Sequence, residues 1–278
     1  VSGLSVTGMV TRPDGKVVLA TFSGGPPVLV GRNADGTLDR TIGNGGLMSL
    51  NGLMSAPFGP PHLFCQDNLG QLLISGVDTL GGTTVARVSP DGMWYGAGEY
   101  LSMWPEAITV QSDRKALVAG RGTGTDGSRD VIIIRLAESG AKDASFGSAG
   151  VTTISLPADQ VCMGLLVQAD GKIVVAGRSA DQLWVMRFSS AGVSDATFGV
   201  LGQAGSPFMV PSIAYQAMQD SSGRLLVLGQ HESEPGIVRH HVLRYLANGS
   251  IDPSFGVNGV ALLGLTTPSM QITPSPRS

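Results

Sequence analysis

A chain of 278 residues with 14% charged side chains and a formal charge of −3 carries no basic field, which excludes nucleic acid as a partner. Forty glycines and 16 prolines against 42% hydrophobic residues exclude disorder and describe a turn-rich, all-β protein, long enough to bury about three quarters of its unfolded surface. No apolar run reaches the roughly 18 residues of a membrane span.

Taken in order, the chain repeats one script. A first strand is expected near residues 7–12, and the first repeat, about 7–53, turns at Asp14-Gly15 and Asp35-Gly36 before ending in DRTIG at 39–43. The second, about 60–100, turns at Gly70, carries a Gly-rich loop at 76–83 and has only a degraded ending, GMWYGAG at 92–98. The third, about 105–156, turns at Arg114, has the longest polar loop at 121–130 and ends in DASFG at 143–147. The fourth, about 161–210, is the most regular: QADGKIVVAGRSADQLWVMRFSSAGVSDATFG from Gln168 to Gly199. The fifth, about 213–265, turns at Gly223, has the loop 230–241 and ends in DPSFG at 252–256. From Thr266 the chain is polar and Pro-rich, and a linker or disordered tail over 266–278 is expected.

Within each repeat, apolar runs of five or six residues alternate with Asp-Gly, Ala-Gly or Asn-Gly, which are strand and hairpin signals without a helical period. Four short strands in each of five repeats of about 52 residues predict a β-propeller of five four-stranded blades in one domain over residues 1–265. The strings QADGKIVVAG and VMRFSSAG, with the endings DASFG, DATFG and DPSFG, resemble the delta-60 repeat, a bacterial family of tandem β-strand repeats. The resemblance covers roughly residues 7–265. It implies a large surface or secreted bacterial protein, and no catalytic residue. The chain opens on Val1 without a signal-peptide pattern, as expected of a trimmed or mature form.

Strands of a blade alternate in direction, so the second-to-third loops and the inter-blade connectors share one face. That face would gather the loops 76–83, 121–130, 177–182 and 230–241, and a protein or glycan partner is expected there. A monomer is expected. In D-x-[ST]-F-G, the aspartates Asp39, Asp143, Asp195 and Asp252 are expected to bond nearby backbone N–H groups, with Phe146, Phe198 and Phe255 packed between blades. Arg87, Arg135, Arg187 and Arg244 recur five residues before the next turn glycine. Because the first repeat has the aspartate without the arginine and the second the reverse, an obligatory Asp–Arg pair is not expected. The arginines should instead satisfy carbonyls or a neighbouring blade.

Cys65 and Cys162 fall on first strands two blades apart and are expected as free, buried thiols. His231, His240 and His241 lie on or beside one loop, but adjacent residues of a strand point to opposite faces, so no metal site is expected. Asp78, Asp126 and Asp130 on Gly-rich loops lack calcium-loop spacing; calcium is the one cofactor left open, and none is predicted. No G-x-S-x-G, H-E-x-x-H or phosphate-binding loop is present. What the repeats do not share is a cluster at the channel mouth. One first-strand column reads Gly8, His62, Ala107, Gly164, Tyr215 and its neighbour Thr7, Pro61, Glu106, Met163, Ala214, with Trp104 just above. His62, Trp104, Glu106 and Tyr215 are therefore the candidate ligand-binding residues. The expected function is non-enzymatic binding; a channel-mouth hydrolase, lyase or lactonase and a structural spacer are the alternatives.

Overall fold

The computed structural model describes residues 5–12, 14–22, 27–50, 63–77, 83–89, 94–97, 103–123, 127 and 129–268. Among these there is no helix; 20 strands form five antiparallel sheets, each of four consecutive strands. Sheet one holds β1 (Ser5–Thr11), β2 (Val17–Phe22), β3 (Val28–Arg32) and β4 (Leu47–Ser49), and sheet two β5 (Leu63–Gln66), β6 (Leu72–Val77), β7 (Thr83–Val88) and β8 (Trp94–Ala97). Sheet three holds β9 (Trp104–Val110), β10 (Ala116–Thr123), β11 (Arg129–Leu136) and β12 (Val151–Ile154). Sheet four holds β13 (Gln160–Val167), β14 (Ile173–Ser179), β15 (Gln182–Phe188) and β16 (Gln203–Ala204). Sheet five holds β17 (Ser212–Gln219), β18 (Leu225–Glu234), β19 (Ile237–Tyr245) and β20 (Val260–Pro268). The first strands stand side by side in sequence, β1 by β5, β5 by β9, β9 by β13 and β13 by β17.

In sheets two, three and four the second strand is buried on both faces, which is why it reads as an unbroken apolar run. In β14, Ile173 and Val175 pack toward sheet three, while Val174 and Ala176 pack toward sheet five, all fully buried. The turns before these strands need a left-handed residue. Gly15, Gly70, Gly171 and Gly223 have φ of 78°, 78°, 83° and 78°, and Arg114 takes the same place at 65°. The first strands of sheets one, three, four and five each carry a bulge near the centre.

Each ending is a staple. The cap aspartate takes the backbone N–H and hydroxyl of Thr41, Ser145, Thr197 or Ser254 on one oxygen, at 2.6–3.1 Å. Its other oxygen faces cations: Arg135 at 3.0 Å from Asp143, Arg187 at 2.8 Å from Asp195 and Arg244 at 2.8 Å from Asp252. Lys115 and Lys172, from the first turn, join Asp143 and Asp195 at 2.9 and 3.1 Å. The Asp–Arg pair is thus real, contrary to the sequence expectation, because the two exceptions are substitutions. In sheet one Lys16 takes the cation's place, 3.2 Å from Asp39, and in sheet two Arg87 pairs with Asp67 at 3.0 Å. The expected carbonyl role holds as well: Arg135 donates to Ser190 O at 2.6 Å and Arg187 to Ala247 O at 2.5 Å, each in the following sheet. Each guanidinium also lies over its cap phenyl ring, 4.4–4.8 Å from the centroid. Sheet one lacks both partners together. A Cβ on Gly31 would stand 2.6 Å from Ile42 Cδ1, so the shorter Ile42 fills the space that arginine and phenylalanine share elsewhere.

Two loop expectations are corrected. Residues 230–241 form no irregular loop but the end of the β18–β19 hairpin, turning at Pro235-Gly236. Residues 177–182 likewise close in the tight turn Ala180-Asp181. Polar side chains on a solvated hairpin resemble a loop in sequence, yet Gln230 still pairs with His240 and His231 with Arg239. In 121–130, β10 reaches Thr123 and β11 starts at Arg129, leaving a shorter connection. Of 76–83, residues 78–82 lie outside the described set. At the C-terminal end β20 pairs through Pro268, so strand extends three residues into the expected tail; 269–278 lie outside the described residues.

The staple gives a graded expectation. Asp195→Asn keeps an acceptor for Thr197 but strands a buried Arg187 guanidinium, and should cost about 3–5 kcal/mol. Asp39→Asn, opposite a part-exposed lysine, should cost about 1–2 kcal/mol. Urea denaturation of the two variants measures the difference, and equal losses would sink the staple account.

Candidate functional site

Each of these bulges adds one residue to its first strand. In sheets three, four and five these are Glu106, Met163 and Tyr215. Tyr215 therefore stands in the column of Glu106 and Met163, not in that of Ala107 and Gly164, where Gln216 falls. A bulge adds a residue that period-two reading does not count. Trp104, Pro105, Glu106, Val161, Cys162, Met163 and Tyr215 line one cleft of about 280 Å³. That is near the lower bound of small-molecule sites, roughly 300–1,000 Å³, and matches one small polar group. Three of the four candidates, Trp104, Glu106 and Tyr215, thus meet in one place. His62 lies outside the described residues.

Glu106 is mostly buried and fully engaged. Its Oε2 accepts the Cys162 N–H at 2.8 Å and its Oε1 lies 2.5 Å from Arg121 Nε, so it ties β9 to β13. Burial lifts its pKa above the usual carboxylate value, opposed by the Arg121 charge and the Cys162 N–H. Burial likewise raises the Tyr215 phenol, against the pull of Arg178. The Tyr215 hydroxyl has no hydrogen-bond partner among the described residues. Trp104 is 43% exposed, leaving indole surface toward the cleft. Sequence reading missed Arg121 as a site residue. It shares the string Ala-Gly-Arg with Arg178, and a search for what the repeats do not share passes over such a residue.

Cys65 and Cys162 are free, and burial pushes the Cys65 thiol up to about 12 and that of Cys162 well above its usual value. Neither is a nucleophile at neutral pH. Among the described residues no group of three or more His, Cys, Asp or Glu could hold a metal ion. His231 and His241 do converge, with Nδ1 atoms 3.0 Å apart, and Phe208 stacks on His231 at 4.1 Å. This pair joins the top of sheet five to the connector from sheet four, beside a larger open cleft of about 560 Å³ that Phe208, Leu201 and Met209 help to line. Burial, then the charge of His231, brings the His241 pKa down to about 4.

Comparison with known proteins supports a propeller-repeat family and a propeller fold. The sequence profile described as "Domain of unknown function (DUF5122) beta-propeller" matches residues 111–146, 168–198 and 221–255. No curated protein matches the chain. Among solved structures, a protein of unknown function from Dyadobacter fermentans is similar at 13% identity and a TM-score of 0.52, over 91% of this chain and 86% of the other. A polysaccharide lyase, an ulvan lyase bound to -[GlcA(1-4)Rha3S]-, is similar at 11% identity and a TM-score of 0.56, over 88% and 68%. The periplasmic gluconolactonase of Pseudomonas aeruginosa is similar at 14% identity and a TM-score of 0.51, over 94% and 71%.

The buried histidine predicts an acid-sensitive fold. Unfolded, its imidazole takes a proton near pH 6.5, and folded it does so only near 4. Stability is therefore complete above pH 6.5 and falls as the pH drops toward 4, by about 3 kcal/mol. Urea midpoints between pH 7.5 and 5 should fall less steeply in His241→Gln than in the parent; parallel slopes would remove His241 as the cause.

Proposed function

We propose that the chain is a binding module of a bacterial surface or secreted protein. In this reading the five sheets are five blades of one propeller domain, and the hub cleft takes a saccharide unit of a glycan partner. One observation carries it: both oxygens of Glu106 are already bonded, in a cleft otherwise lined by Trp104, Met163 and Tyr215. Glycoside hydrolysis ordinarily uses two free carboxylates on either side of the bond, and the cleft lining offers one, engaged. An exposed indole, a phenol with an open hydroxyl and a nearby guanidinium suit the apolar face and hydroxyl groups of a sugar. The lyase and the gluconolactonase among the similar propellers show that such a scaffold can house saccharide chemistry; they lend this chain no residue roles. The β14–β15 and β18–β19 hairpin turns would contact the remainder of a longer partner.

A second reading rests on the burial of Glu106 in the cleft, which shifts its pKa in the direction a general acid needs. It needs Arg121 to release the carboxyl once substrate is bound. A spacer with no ligand is the third.

A thermal-shift panel of neutral and acidic mono- and oligosaccharides, with and without calcium, separates the three. A ligand at a hundred times its Kd stabilises the fold by about 2.7 kcal/mol. The binding reading expects a hit that Trp104→Ala abolishes and that leaves the saccharide chemically unchanged on prolonged incubation. Turnover that stops in Glu106→Gln would establish the enzyme instead, and a flat panel would leave the spacer.

A further inference from the structure

Five blades closed into a ring have five interfaces, and the described residues supply four. One buried cluster joins blades one and two, a second joins two and three, a third joins three and four, and a fourth joins four and five. No buried cluster among the described residues joins blade five to blade one. No approach of β17 to β1 compares with that of β13 to β17 or of β9 to β13.

Both end faces carry the interface chemistry uncovered. On blade one, Met9 occupies the position of Ile108, Leu165 and Ala217, which pack against the preceding blade, and it is 61% exposed. Leu19 is half-buried where Val118, Val175 and Val227 are fully buried. On blade five, Met218 is 53% exposed where Val10 and Leu166 pack on the following blade. Leu226, Leu228 and Val242 are half-buried, and their counterparts Val174, Ala176 and Val185 are fully buried.

The polar half of the interface agrees. The Gly147 and Gly199 N–H groups donate to Ala191 O and Asn248 O of the next blade, and Arg135 and Arg187 reach the carbonyls beside them. The rings of Phe146 and Phe198 lie against Gly192 and Gly249. In blade five, Arg244 bonds only Asp252 and Ser254 of its own blade among the described residues, and Phe255 is half-exposed. In blade one the matching turn residue Gly36 has nothing within 4 Å of where a Cβ would stand.

We propose that the ring is completed by at least one further blade of this same D-x-[ST]-F-G repeat, seated between blade five and blade one. The occupant follows from continuity with the four interfaces already formed. It must offer a turn carbonyl to Arg244, another to the Gly256 N–H, and a turn glycine under the Phe255 ring. Gln216 and Leu228 are larger than Gly164 and Ala176, so the strand that covers them carries small side chains.

The test appends a copy of residues 157–206 after Pro268 and follows amide hydrogen exchange. In the parent, Leu226, Leu228 and Val242 should exchange at least about tenfold faster than Val174, Ala176 and Val185. The extension should bring the two sets together and make Arg244→Met as disruptive as Arg187→Met. Equal protection of both sets in a monomeric parent, or an extended chain that folds without changing the difference, overturns the proposal. The pair Asp35→Cys and Val257→Cys in the parent decides independently should the extension misfold, with Asn248→Cys and Val200→Cys as the positive control. An intramolecular disulfide would mean that blade one closes on blade five. An intermolecular one, with a dimer in sedimentation, would mean that a second copy fills the gap. Either overturns the proposal, while a control that crosslinks beside a test pair that does not supports it.

Discussion

The buried ion pair between a cap aspartate and an arginine of the third strand is the interaction on which the architecture turns. A charged group inside a small sheet is tolerated only if its partners are complete. Here the completion is shared between neighbours. The aspartate is satisfied within its own sheet, whereas the guanidinium of Arg135 or Arg187 needs a carbonyl of the next one. Desolvation of one sheet is thereby conditional on docking of another, and the same side chain that holds the end of a blade shut also sets the distance to the following blade. The substitutions obey this logic. Lys16 answers Asp39, Arg87 is answered by Asp67, and Gly31 and Ile42 change together because one volume serves both.

A rim built on this frame is stiff. The residues of the cleft sit at strand bulges and not on long loops, and Glu106 binds two first strands to each other before any ligand arrives. A ligand of the proposed kind would spend little free energy in ordering Trp104, Met163 and Tyr215 relative to one another.

Much of this was legible in the sequence, and the failures have physical causes. Period, turn glycines and apolar runs gave sheets of four consecutive strands, because each is fixed by local backbone and by burial on two sides. The site was read with one residue out of register: the β17 bulge moves Tyr215 by one place, and a bulge has no composition of its own. The hairpin extension from Gln230 to His241 resembles a loop in sequence because it carries polar side chains on paired backbone. The Asp–Arg pairing is hidden when only identical residues are compared, because what is kept is a cation beside a carboxylate. Arg121 escaped notice because a residue that two repeats share can still acquire a distinct partner in one of them.

Among the described residues every sheet is made of strands consecutive in the chain, and none borrows a strand from another repeat. The backbone ladders are therefore internal to a repeat, and what passes between repeats is side-chain packing, bonds to turn carbonyls and a few side-chain bonds such as that of Glu106 to the Cys162 N–H. Duplication or loss of one unit of about 52 residues leaves every ladder intact and alters only the contacts between neighbouring sheets. The drift of the second repeat's ending, beside the close agreement of the fourth and fifth, fits units that age separately after they are copied.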